Sequence, residues 1–132
     1  MTPSQKHTAA TCLAAAHDGS MAFPQIIGRL RAAEFEGYLV DYRAASQTFY
    51  LPSGEALTMP LDAYPGEVVA TFDQEEIRRA IEWAQSGDPA YSFPAFSTRV
   101  KMAGCAGYIA SFSGARVLYF GRTGDCHIEH FG

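Results

Sequence analysis

The sequence predicts an α+β fold in which two helix–helix–three-strand units, about 4–61 and 74–131, share one antiparallel sheet with the helices packed on one face. Three observations carry this. The spacing of apolar residues changes from a helical period to a period of two, twice along the chain. Prolines and short polar residues open the helical stretches, and glycines close them. Finally, the chain lies over itself at an offset of 70 residues. FPQIIGRLRAAEFEGYLVDY (23–42) matches FPAFSTRVKMAGCAGYIASF (93–112), and FYLPSGEALTMPL (49–61) matches YFGRTGDCHIEHF (119–131); the continuous span 23–61 has eight identities in 39 positions. The identical residues include Phe23, Pro24, Gly37, Tyr38 and Gly54, which hold corresponding structural positions in the two units. A length of 132 residues suits a single domain.

The elements follow in order. Residues 4–17 form a helix started by Ser4 and favoured by its alanines. Residues 24–36 form a second, opened by Pro24, with Ile26, Ile27, Leu30 and Ala33 on one face and Gly37 at the left-handed exit. YLVDYR (38–43), QTFYL (47–51) and EALTMPL (55–61) read as a three-stranded meander, and GEVVATF (66–72) as a short additional strand. Helix 74–86 has Asp73 as its cap, Glu76 at the capping-box position and Gly87 at its end. Its Glu75/Arg79 and Arg78/Glu82 spacings make surface ion pairs. Helix 94–103 stops at Gly104, and strands at 106–112, 116–121 and 126–131 complete the second unit.

Composition excludes several classes. The formal net charge is −4 with 18% charged residues, and no block of Lys and Arg offers phosphates a positive face. No apolar run approaches the roughly 20 residues that span a bilayer. Three cysteines, Cys12, Cys105 and Cys126, form no C-x-x-C, which fits reduced thiols and a cytoplasmic setting. Cys105 aligns with Phe35 and reads as a buried thiol, while His7 and His17 read as surface helix residues.

Candidate chemistry comes from contrasts between the matched units. Where the first has Glu55-Ala56-Leu57-Thr58-Met59-Pro60, the second has Asp125-Cys126-His127-Ile128-Glu129-His130. In an extended strand Asp125, His127 and Glu129 project from one face and could ligate a divalent metal through nitrogen and oxygen. A charged edge strand that discourages further pairing is the alternative. Asp41, a carboxylate inside an apolar strand, is either solvent-facing or an anchor in a cleft between the units. In the cleft reading Asp41, Tyr42, Tyr50 and Arg122 are the candidate ligand-binding residues. Arg29/Arg31 and Arg99/Lys101 occupy equivalent helix ends, where cations suit the dipole or make a symmetric anion patch. His127-Ile128-Glu129 lacks the downstream P-C-x-x-C of zinc deaminases, and GRTGD (121–125) is not a P-loop.

The strings FPQIIGRL, GYLVDY, QTFY, MAGCAGY and GRTGDCHIEHF resemble a small family of uncharacterised bacterial proteins, some of them labelled phage envelope protein. The resemblance covers most of the chain from about residue 20 and implies no activity, cofactor or catalytic residue. The label implies a virion component, which no residue pattern here supports. The functional expectation is a small cytoplasmic binding or regulatory module without catalysis of its own. The alternatives are a metal-assisted, hydrolytic enzyme using the Asp125/His127/Glu129 strand and a phage-derived structural protein. The partners this allows are a small molecule and a second copy of the chain, with no nucleic acid and no membrane.

Overall fold

Thr2, rather than Ser4, opens the first helix. In the computed structural model, which describes residues 1–131, the Thr2 hydroxyl accepts the Gln5 N–H at 3.1 Å and the Gln5 side chain accepts the Thr2 N–H at 2.9 Å. This reciprocal pair satisfies two first-turn donors, and Pro3 at the first helical position has no donor to satisfy. Helix α1 (Pro3–Asp18) ends at Gly19, whose φ of 80° is left-handed.

Helix α2 (Phe23–Ala32) is shorter than its apolar pattern predicts. The Phe35 N–H turns back to the Leu30 carbonyl, and Glu34 takes the left-handed φ of 75° that the sequence assigns to Gly37. Gly37 instead lies in a strand, where a Cβ would sit 2.4 Å from the Ala110 carbonyl oxygen. Its missing side chain permits close approach of two strands rather than a turn.

The strands β1 (Gly37–Asp41), β2 (Ser46–Tyr50), β3 (Ala56–Pro60), β4 (Cys105–Ser111), β5 (Arg116–Gly121) and β6 (Cys126–His130) form one sheet. Its order is β3-β2-β1-β4-β5-β6, and every pair is antiparallel. Helices α3 (Gln74–Gln85) and α4 (Phe93–Met102) precede the second set of strands. The fold is therefore α+β, with four helices and a six-stranded antiparallel sheet. The two halves meet at the β1–β4 pair. Corresponding features recur at the same spacing: α2 and α4 start at Phe23 and Phe93, and β3 and β6 at Ala56 and Cys126. Left-handed Ala45 and Ala115, at φ 51° and 50°, occupy equivalent turns.

Two local expectations are corrected. The segment 66–72 forms no strand; the Val69 N–H donates to the Lys101 carbonyl and Arg122 donates to the Val68 carbonyl. The segment is thus bound to the end of α4 and to a turn, with no ladder to join. Asp73 does cap α3 through the Glu76 N–H, at 3.1 Å. The Glu76 carboxylate, however, pairs with Arg99 of α4 at 2.8 Å instead of closing a capping box. Helix–helix charge pairing has displaced the local cap.

Alternation along the strands places Leu57, Met59, Phe49, Gln47, Tyr38, Val40, Ala110, Tyr108, Val117, Tyr119, Glu129 and His127 on the face toward the helices. Its centre is aromatic. Ring centroids lie 5.9 Å apart for Tyr38 and Phe49, 6.3 Å for Tyr38 and Tyr108, and 5.3 Å for Tyr108 and Tyr119. Leu30, Ile77 and Val100, each fully buried, cover this seam from the helices. Cys12 and Cys105 are buried free thiols, and burial pushes Cys105 up to about 12.

Burial also raises the hydroxyls of Tyr38, Tyr42, Tyr108 and Tyr119 above the ordinary tyrosine range, desolvation being the first cause in each. The native state therefore retains phenol protons that the unfolded chain releases near pH 10. Stability contributed by these groups falls as pH rises through that value. In an alkaline titration, tyrosinate absorbance is expected to rise in step with loss of far-ultraviolet circular dichroism. Smooth ionisation of all the tyrosines with the dichroism intact would contradict this.

Candidate functional site

The cleft residues expected from the sequence do not converge. Asp41 ends β1 on the sheet face away from the helices, and its Oδ1 accepts the Arg43 and Ala44 N–H groups, both at 3.0 Å. It organises the β1–β2 turn. Tyr42 points the other way, buried, and donates to the Ser97 hydroxyl of α4 at 3.0 Å. Tyr50 shares a face with Asp41 but sits at the far end of the β1–β2 pair. Arg122 is on the turn before β6, held to the Val68 carbonyl. The space imagined between the two halves is occupied by the aromatic seam.

The β6 cluster is half assembled. His127 and Glu129 share the inner face, with His127 Nε2 3.5 Å from Glu129 Oε1. His127 Nδ1 meets the Gln74 side-chain amide at the start of α3, 3.0 Å away, and Nε2 is buried without a hydrogen bond. Asp125 precedes the strand and accepts the Thr123 hydroxyl at 2.8 Å. The three do not come together, and among the described residues no group of three His, Cys, Asp or Glu could hold a metal ion. The pair ties the edge strand to α3. A symmetric anion patch is not formed either. Arg99 pairs with Glu76 and lies over the Trp83 ring at 5.7 Å, while Lys101 is buried and donates to the Tyr64 carbonyl at 2.7 Å.

That buried ammonium leads to the polar chain the sequence reading missed. His17, in the last turn of α1, stacks on Tyr64 with ring centroids 5.6 Å apart and an interplanar angle of 19°. Its Nδ1 lies 2.9 Å from the Tyr64 hydroxyl, and its Nε2 lies 3.0 Å from Asp62 Oδ2. Asp62 and Tyr64 belong to the connector after β3. The Tyr64 N–H donates to the Asp62 carbonyl at 3.0 Å, a tight turn that brings both side chains toward α1. Lys101 from α4 fixes the Tyr64 backbone from beneath, and Phe93 packs edge-on against its ring at 5.7 Å.

Burial, then the charge of Asp62, pushes the Tyr64 hydroxyl up to about 12. At neutral pH it keeps its proton. The result is an oriented chain of Tyr64, His17 and Asp62 at one end of a recess of about 220 Å3. Ala10, Leu13 and Ala14 of α1, with Pro60 and Leu61, form its apolar wall. Tyr64 is buried, whereas Asp62 and His17 are exposed at its mouth.

A sequence signal for this site did exist. At the 70-residue offset His17 stands over Gly87, a change of chemical type like the one that drew attention to β6. His17 was legible as a contrast, but its partners lie in the connector, which has no matched counterpart. No family model matches the chain, and no curated protein is similar to it. Among the described residues, no helix is long and apolar enough to cross a membrane.

Proposed function

We propose that the chain is a small binding module whose ligand seat is the recess ending in Asp62, His17 and Tyr64. The observation that carries this reading is the ordered polar chain set against an apolar wall in a concave surface. Such sites combine apolar lining with a few oriented polar groups. A binding role fits the hydrogen bonding better than catalysis. Both imidazole nitrogens have polar partners, Nδ1 the Tyr64 hydroxyl and Nε2 the Asp62 carboxylate. In the recess the imidazole and the phenol are tied to each other rather than aimed at a substrate. What the chain presents is a carboxylate held in place by an imidazole, an acceptor for a ligand's ammonium or hydroxyl.

The volume selects ligand size. At about 220 Å3 the recess is smaller than the range of about 300–1,000 Å3 that houses drug-sized compounds. A compact aliphatic amine or alcohol matches both the wall and the acceptor. The test is ligand-observed magnetic resonance with a set of small aliphatic amines and alcohols, followed by chemical-shift mapping. Binding is expected to shift His17 and Tyr64, and Asp62→Asn is expected to weaken amine binding by about tenfold, since charge-assisted hydrogen bonds are worth about 1.5 kcal/mol or more. Absence of binding across the set, or binding that Asp62→Asn and His17→Gln leave unchanged, would refute the assignment.

A further inference from the structure

Beyond the recess, the strand registers define the other face of the sheet. Pairing across all six strands places Thr58, Thr48, Leu39, Ile109, Leu118 and Ile128 in one central row. In the half nearer β6 an apolar strip runs across this face, with Arg116 and His130 at one end: Ile109 is 44% and Ile128 39% exposed, and Leu118 and Phe120 are half-buried beside them. The side chains that reach the helices, Tyr42 to Ser97 and His127 to Gln74, all leave from the opposite face. Large exposed apolar side chains gathered on one face mark an interaction surface.

The charges on this face identify its occupant. Arg116 of β5 pairs in register with Ser111, two residues after Ile109 on β4. Asp41 of β1 pairs with Gly107, two residues before Ile109. Arg116 and Asp41 are therefore diagonal neighbours of Ile109 on opposite sides, each about 8 Å away. Ile109, the most exposed large apolar residue on the face, lies at the midpoint between a cation and an anion. A twofold axis passing above Ile109, parallel to the plane of the sheet and perpendicular to that diagonal, relates two stacked copies and exchanges the two charges. It sets Arg116 of each copy over Asp41 of the other and Ile109 over Ile109. The strands then cross steeply, close to the orthogonal class of sheet packing. Both charged groups retain capacity for a partner. Asp41 uses Oδ1 for its turn and Arg116 uses Nε for the Gly114 carbonyl, which leaves Oδ2 and the Nη groups.

We propose that the uncovered sheet face binds a second copy of this chain, forming a twofold dimer centred on Ile109. Six strands about 4.8 Å apart and five residues long give a face of roughly 500 Å2 per copy. Two such faces lie at the lower limit of specific interfaces, so the dimer is expected to exchange with monomer at micromolar concentrations. Rim pairs of this kind make it weaker at high salt.

Sedimentation equilibrium of the intact chain between about 10 and 500 µM, the range in which an interface of this size dissociates, tests the proposal. The mass is expected to rise from one chain toward two. Ile109→Lys, at an exposed position, is expected to abolish that rise while leaving the melting curve in place. Asp41→Asn keeps the turn acceptor and removes only the charge. It and Arg116→Gln are each expected to weaken the dimer about fivefold, and the double variant no more than either alone, because each substitution removes the same two symmetry-related pairs. A single-chain mass throughout the range overturns the proposal. So does a dimer indifferent to Ile109→Lys, or one in which the two charge substitutions act additively.

Discussion

Tyr108→Ala is expected to lower the unfolding free energy by about 3–5 kcal/mol, as large aromatic deletions in packed cores do. Tyr108 is 6% exposed and stands at the β1–β4 junction, with its ring 6.3 Å from Tyr38, 6.2 Å from Tyr42 and 5.3 Å from Tyr119. Truncation removes its own burial and one partner from three aromatic contacts, and strands paired on both sides cannot collapse into the gap. Tyr38→Ala is expected to cost a similar amount, because Tyr38 touches Phe49, Phe112 and Tyr108 across the same seam. The double substitution should cost less than the two single costs added, since the Tyr38–Tyr108 contact would be counted twice. Urea unfolding of the three variants measures this. Costs below about 1 kcal/mol for both single variants would mean that the seam does not join the two halves.

The seam also shows how far sequence patterning reached. Tyr38 and Tyr108 were visible as matched first-strand aromatics, and their shared inward direction follows from a period of two that cannot slip without turning the core face outward. Helix openings at Pro24 and Pro94 were equally legible, because a fixed φ and a missing donor are local properties. Misplaced features depended on distant chain. Gly37 resembled a helix exit, yet its constraint is the Ala110 carbonyl of another strand. Glu76 had the spacing of a capping box, but Arg99 of the neighbouring helix takes its carboxylate. The candidate site followed the same rule. Asp41 and Tyr42 are adjacent in sequence, so the strand sends them to opposite faces and prevents a shared pocket. His17, Asp62 and Tyr64 are brought together by the end of α1 and the connector after β3, a closure that no local spacing encodes.

Gly104→Ala is expected to be the most damaging small substitution in the chain, at more than about 4 kcal/mol. Two costs coincide there. The φ of +94° is one that residues with a Cβ rarely adopt. The added Cβ would also lie 2.1 Å from the Thr71 carbonyl oxygen and 2.8 Å from the Phe72 Cα, both backbone atoms with no rotamer to change. Comparison glycines separate the two costs. Gly54 has a φ of +95° and open space, so Gly54→Ala is expected to show the conformational cost alone, about 1–3 kcal/mol. Gly28 lies in α2 with open space and no positive φ, so Gly28→Ala is expected to stabilise by about 0.5–1 kcal/mol. Equal losses at Gly104 and Gly54 would show that the 71–72 backbone moves aside at little cost. The predicted inequality has a functional consequence. The segment over Gly104 is bound to the end of α4 through Val69–Lys101 and Asp73–Ala103, and Lys101 holds the Tyr64 carbonyl. Displacing that segment should therefore loosen Tyr64 and, through it, the orientation of His17 toward Asp62. Shift changes at His17 in any folded Gly104→Ala protein, absent in Gly54→Ala, would trace that connection.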